Sequence, residues 1–301
     1  MKIIAIDIGG TDIKFGLIDQ TGIILQKGIV STGKENTIEN LLDKLSEIIE
    51  KYLDKDIVGI GISSTGQVDS KEGKIIGGTD IVKHLINKEL VSVLKEKYKL
   101  PVIMENDVNC AALGEFWMGG AKGEKDFICL TIGTGIGGAI VLNGEVYTGS
   151  NGVAGEFGHI QIESNGRKCG CGKKGCYEAY GSTSSLVRLV NETTGESLNG
   201  KIIFEKIHNN EKIYVDIYEK WCDYIAQGLS IIINIFNPKL ILIGGGVSAQ
   251  GDFLLNSLKK HLENKIGENY KKGLELKVAK TGNDAGILGA AYLLLKKEGL
   301  I

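Results

Sequence analysis

A strand, a glycine turn and a second strand occur twice in this chain, and that repeat limits the fold more than any other feature. The first copy is AIDIGGTDIKFGLID, with an apolar run from Lys2 to Asp7, the turn Gly9-Gly10-Thr11, and a second run from Ile13 to Asp19. The second copy is CLTIGTGIGGAIVLNG, with Phe127 to Ile132, Gly133-Thr134-Gly135, then Ile136 to Leu142. Further runs, Ile23 to Val30 and Glu145 to Tyr147, extend each copy. Strands joined by so few residues must pair antiparallel, because a parallel crossover needs a dozen or more. Two copies in one chain predict an α/β fold of two similar lobes around a central cleft.

The 301 residues leave room for two sizeable cores. Between the copies, Ile38, Leu41, Leu42, Leu45, Ile48, Ile49 and Leu53 recur at helical spacing, with Thr37 as N-cap. Ile57 to Ile62 reads as a buried strand followed by a Ser/Thr/Gly loop, and Leu85 to Tyr98 as a helix. Pro101 to Met104 reads as a short strand ending at Glu105-Asn106-Asp107, with Asp107 capping a helix to about Trp117. After the second copy come a cysteine-rich loop, a helix from about Glu178 and a long helix from Val215 to Phe236. A buried strand from Leu240 to Ile243 then runs into Gly244-Gly245-Gly246, with a helix opening near Ala249. The last helix starts near Asp284. The expected division is a small lobe over 1–108, a large lobe over 109–284, and a C-terminal helix, about 285–301, packing back on the small lobe.

Composition narrows the function classes. A formal net charge of -2 gives no electrostatic case for nucleic acid or an anionic membrane surface. The longest apolar run, Leu229 to Phe236, is far too short to span a bilayer, and no leader pattern opens the chain. Cytoplasm is the expected compartment. The chain has 43 glycines and only 2 prolines, and the glycines cluster in short motifs between apolar runs. That distribution points to phosphate-binding turns and close backbone approaches.

In the first turn, Gly9 and Gly10 let backbone N–H groups approach phosphate oxygens, and Thr11 adds a hydroxyl donor. Asp7, beside that turn, is placed to hold hydrated Mg²⁺ near the phosphates. The turn is not a G-x-x-x-x-G-K-[ST] loop and no helix follows it, which excludes a P-loop. Gly133-Thr134-Gly135-Ile136-Gly137-Gly138 matches a dinucleotide fingerprint in letters only, because a strand follows. As the mirror of the first turn it is expected to hold the other end of a triphosphate. Gly244, Gly245 and Gly246 suit the adenine and ribose side. Phosphorylating a hydroxyl needs a base to accept its proton, and Asp107 is the candidate.

Cys169-Gly170-Cys171-Gly172-Lys173-Lys174-Gly175-Cys176, with His159 upstream, supplies three thiols and an imidazole. That set fits a tetrahedral structural Zn²⁺ site. A disulfide reading leaves one thiol over and suits an oxidising compartment. Cys110, Cys129 and Cys222 lie alone in apolar contexts and read as inert buried thiols, while His84, His208 and His261 have no such partners.

Taken together, the first glycine turn, ENDVN, LTIGTGIGGAI, AGEFGHI, CGCGKKGCYEAYGS and LILIGGGVS resemble the ROK family of bacterial sugar kinases and related repressors, in family order over essentially the whole chain. The resemblance implies two actin-like, ribonuclease H-like lobes, ATP with Mg²⁺, and a hexose substrate. It implies that Asn106 and Asp107 bind sugar hydroxyls, with Asp107 as base, and that Gly66, Glu156, His159 and Glu178 contact the sugar. Lys14 joins Asp7, Gly9, Gly10 and Thr11 on the nucleotide side. A homodimer and closure of the lobes on sugar are further expectations.

Two departures bear on the sugar. Thr65 stands where many members have proline, in Ser63-Ser64-Thr65-Gly66. The stretch Gly77-Gly78-Thr79-Asp80-Ile81-Val82-Lys83 lacks the usual Asn-Leu-Pro-Gly-Trp and looks more similar to β-glucoside kinases of the family. Glucose ranks first, followed by β-glucosides, N-acetylmannosamine and fructose. A repressor would need a helix-turn-helix before Asp7, for which this sequence has no room. A non-catalytic sugar sensor and an actin-like filament protein remain as other classes; the intact phosphate turn and Asp107 argue against the first, and the second does not explain the zinc loop and ENDVN.

Overall fold

The computed structural model describes residues 1–33, 37–78 and 83–301. It is a mixed α/β chain that divides into two compact units. One is Met1–Lys125 with Ile140–Ala154 and Lys280–Ile301; the other is Asp126–Ala139 with Gly155–Ala279.

In chain order, β1 (Lys2–Ile8), β2 (Asp12–Asp19) and β3 (Ile24–Ser31) form an antiparallel meander. Helix α1 (Ile38–Tyr52) follows, with Thr37 Oγ1 accepting the Asn40 amide at 3.2 Å. Strand β4 (Ile57–Ser64) lies parallel to β1, and Ile60 and Ile62 are fully buried. A hairpin, β5 (Gln67–Asp69) and β6 (Lys74–Gly77), leads by a single 3-10 turn to α2 (Leu90–Tyr98). Strand β7 (Val102–Asn106) completes the sheet order β3-β2-β1-β4-β7, and α3 (Asp107–Met118) leaves its C-terminal end.

Several boundaries differ from the sequence reading. Ser63 and Ser64 continue β4 rather than opening a loop. The helix expected from Leu85 starts only at Leu90, because Asn87 takes a left-handed φ of 58° and breaks the turn. Asn106, not Asp107, caps α3: its Oδ1 accepts the amides of Val108 at 2.9 Å and Asn109 at 3.1 Å.

The second sheet has the order β10-β9-β8-β11-β12. Its first strands are β8 (Phe127–Ile132), β9 (Ile136–Leu142) and β10 (Glu145–Val146). Helices α4 (Glu178–Gly181), α5 (Thr183–Thr194), α6 (Gly200–His208) and α7 (Lys212–Phe236) come next. Asn237 ends α7 in a left-handed cap. Strand β11 (Leu240–Gly244) is buried throughout and parallel to β8. A 3-10 turn over Gly246–Gln250, rather than an α-helix from Ala249, precedes α8 (Gly251–Leu262). The chain continues through α9 (Glu268–Lys271) and β12 (Glu275–Val278).

Helix α10 (Ala285–Lys297) packs on α3, β1 and β4 within the first unit. Glycines make that approach possible. A Cβ at Gly61 would meet Ala290 O at 2.4 Å, and one at Gly114 would meet Ala285 O at 2.4 Å. The compact unit therefore runs on through α3, beyond the 108/109 limit drawn from the sequence. No helix among the described residues is long and apolar enough to cross a membrane.

Candidate active site and metal cluster

The first unit gathers its candidate residues at the C-terminal ends of β1, β4 and β7. Asp7 sits where β1 enters the turn, and Gly9 N donates to Asp12 O at 3.0 Å to close it. Ser63 Oγ donates to Asp7 Oδ1 at 2.6 Å, and Lys14 Nζ lies 3.9 Å from Oδ2. The first turn of α10 approaches the same carboxylate, since a Cβ at Gly286 would fall 2.8 Å from Asp7 Cγ. Burial raises the Asp7 pKa, while the Ser63 hydroxyl and Lys14 oppose that shift.

Asp107 is a strongly perturbed carboxyl at this end of the sheet. Burial first, and the negative charge of Asp7 second, push its pKa up to about 7. The Val108 amide, the Thr65 hydroxyl and the Asn106 amide hold it down. Asn106 Nδ2 donates to Asp107 Oδ1 at 2.9 Å and to Gly66 O at 2.8 Å. Gly66, Asn106 and Asp107 are thus brought together at one point. A carboxyl poised near neutrality is suited to accept a hydroxyl proton.

Three residues here had no role in the sequence reading. Glu105 is buried and accepts from Asn106 N at 2.8 Å, Asn109 Nδ2 at 3.0 Å and Ser70 Oγ at 2.5 Å. Ser63 holds Asp7, and Thr65, read only as a departure, reaches Asp107. Glu105 was visible in ENDVN, but nothing local in the sequence shows that Ser63 and Ser70 return to this point. The departure at 77–83 falls largely on 79–82, outside the described residues.

The second unit carries the other candidates. Gly133 N donates to Gly135 O at 2.9 Å within the turn between β8 and β9. Thr134 stands between these two glycines, and the pattern repeats the β1–β2 turn in the other sheet. Of the three glycines from the end of β11 onward, Gly244 to Gly246, only Gly245 is imposed by a backbone approach, with φ 79° and a Cβ that would meet Ile132 O at 2.4 Å. A Cβ at Gly246 would meet nothing within 4 Å, and one at Gly244 would meet only ordinary contacts.

His159, Cys169, Cys171 and Cys176 converge so that their ligand atoms all lie within 4.8 Å of one another. Cys171 Sγ is 3.6 Å from Cys176 Sγ, and Cys169 Sγ is 3.8 Å from His159 Nδ1. A tetrahedral zinc with bonds of about 2.3 Å to sulfur separates two sulfurs by about 3.8 Å, so this set fits the ion. The cysteines are free, and 3.6 Å is far beyond a disulfide bond of about 2.05 Å. His159 Nε2 faces Glu156 Oε2 at 3.9 Å. The ring nitrogen that faces away from Cys169 therefore has a carboxylate neighbour. Cys110, Cys129 and Cys222 are buried. His261 lies between Glu219 and Asp223 in a surface ion-pair group.

The mixed α/β architecture and these two sets of residues define a class, the actin-like sugar kinases and their relatives. The family model for the ROK family matches residues 3–297, and the chain belongs to that family. It is 33% identical to a glucokinase of Halalkalibacterium halodurans, over 98% of this chain and 95% of that one. A β-glucoside kinase of Listeria monocytogenes is 36% identical, over 99% of each chain. The crystal structure of a Streptomyces griseus ROK glucokinase in complex with glucose and AMPPNP superposes with a TM-score of 0.83 at 32% identity, covering 97% of this chain and 99% of that one.

Proposed function

We propose that this protein transfers the γ-phosphoryl group of MgATP to a hexose hydroxyl, with glucose to glucose 6-phosphate as the first assignment. The observation that carries the reading is the Asp107 carboxyl, held beside Asn106 and raised to about 7. The Streptomyces griseus relative, a glucokinase crystallised with glucose and an ATP analogue, supports both substrates.

In this account Asn106, Gly66, Glu156, His159 and Glu178 orient the sugar. Asp107 takes the hydroxyl proton as the sugar oxygen bonds to the γ-phosphorus and the bridging bond to ADP breaks. Gly9, Gly10, Thr11 and Lys14 meet the phosphates, with Asp7 supplying an oxygen ligand for hydrated Mg²⁺. Gly133, Thr134 and Gly135 hold the other end of the triphosphate, and Gly244, Gly245 and Gly246 flank the nucleoside. His159, Cys169, Cys171 and Cys176 would hold a structural Zn²⁺ whose full shell leaves no open position for Lewis-acid chemistry. Metal on Nδ1 would leave Nε2 as a donor toward Glu156, orienting that carboxylate.

A β-glucoside is the second substrate reading, supported by the Listeria relative. A homodimer in the cytoplasm completes the proposal. The test is ADP release measured across glucose, β-glucosides, N-acetylmannosamine and fructose. Release with glucose well above the others supports the first assignment, and release with none of them refutes the kinase reading.

A further inference from the structure

Glu178 was singled out as a sugar contact, yet one of its oxygens is already engaged elsewhere. Its Oε2 accepts the Ile136 amide at 2.9 Å, at the exit of the Gly133-Thr134-Gly135 turn. A Cβ on Gly135 would fall 2.2 Å from the same oxygen and 3.1 Å from the carboxyl carbon. A side chain at 135 would therefore have to displace this carboxylate from its place beside the turn. The other end of the turn is gripped from the helix that follows: Thr183 N donates to Gly133 O at 2.8 Å. Ile136 is enclosed as well, since a Cβ at Gly158 would meet Ile136 O at 2.2 Å and one at Gly181 would meet Ile136 Cδ1 at 3.0 Å. Oε1 points the other way and lies 3.9 Å from Cys169 Sγ in the metal cluster.

We propose that Glu178 is a positioning residue for the second glycine turn: one carboxylate oxygen fixes the turn through Ile136 N–H, leaving the other toward the cysteine loop. The inference rests on the reading of that turn as a phosphate contact. It goes beyond that reading by giving the carboxylate a nucleotide-side role that does not need sugar. A hydrogen bond to a carboxylate is among the stronger ones, and a side chain at 135 would compete with that carboxylate for its place.

The experiment titrates a nonhydrolysable ATP analogue in the absence of sugar, alongside hydrogen exchange at the Ile136 amide. Glu178→Ala is expected to weaken the analogue about tenfold and to lose protection at Ile136. Glu178→Gln retains a carbonyl acceptor and should keep both near wild type. Gly135→Ala should weaken binding in the wild-type background and add little once Glu178 is alanine, because the atom it collides with has gone. Unchanged protection at Ile136 in Glu178→Ala, or full additivity of the two substitutions, would overturn the proposal. If the wild-type chain fails to bind the analogue while Ile136 protection still depends on Glu178, the phosphate reading falls and the positioning role stands.

Discussion

Asn106 Nδ2 donates to Asp107 Oδ1 at 2.9 Å, while its own Oδ1 caps the helix that Asp107 begins. The amide thus joins the strand end, the helix start and the candidate base in one side chain. The chemistry expected of Asp107 follows from this fixed position and from its raised pKa.

Asp107→Asn keeps the size of the side chain and removes the proton acceptor. We expect turnover to fall at least about a hundredfold while sugar binding, read by calorimetry, persists. More than about a tenth of wild-type kcat in the variant would remove Asp107 as the base.

The same substitution should stabilise the fold at neutral and alkaline pH. Asp107 titrates near 7 in the folded protein against an ordinary 3.8, so the native state holds the proton more tightly than the unfolded chain. Stability is therefore lost as pH rises from about 4 to 7, and the full cost is present above 7. Asparagine carries no such cost. Melting at pH 8 should favour Asp107→Asn by up to about 4 kcal/mol, with the gap closing toward pH 4. A variant less stable than wild type at pH 8 would contradict the desolvated carboxyl.

The pH profile offers an independent reading of the same group. The base must be ionised, so kcat/KM should fall with a slope of one below an apparent pKa of about 7. Thr65→Val removes a hydroxyl that favours the charged form, so this limb should move to higher pH. A limb that stays in place would show that Thr65 does not act on Asp107.

Metal analysis should find one zinc per chain, and Cys171→Ser should abolish it. His159 stands three residues after Glu156, and Cys176 two before Glu178, so a metal held there would brace both proposed sugar carboxylates. Melting temperature and sugar affinity should fall together in the variant. A zinc-free variant with normal melting and sugar affinity would require another role for the cysteines.

Legibility in the sequence followed how local each feature is. The meander β1–β2–β3 was readable because apolar runs and glycine turns alternate within a few residues. The metal set was readable because three of its four ligands lie within one short loop. The hairpin β5–β6 was not, since Gln67–Asp69 and Lys74–Gly77 are too short to show a period. Helix α6 was also passed over. In ENDVN, Asn106 and Asp107 are both good capping types, and only the run of β7 through Asn106 decides between them. Ser63 to Asp7 spans 56 positions and Ser70 to Glu105 spans 35, so these contacts exist only once the sheet has formed.

The account turns on phosphoryl transfer to a sugar, and the product tests it most directly. The protein is incubated with MgATP and glucose, and the products are read by phosphorus NMR and mass spectrometry. The account predicts ADP and a hexose monophosphate in equal amounts, with phosphorus on the 6-hydroxyl, and only a trace of either with Asp107→Asn. ATP left intact with glucose and with every other sugar of the panel, by protein shown to bind the sugar, would contradict it.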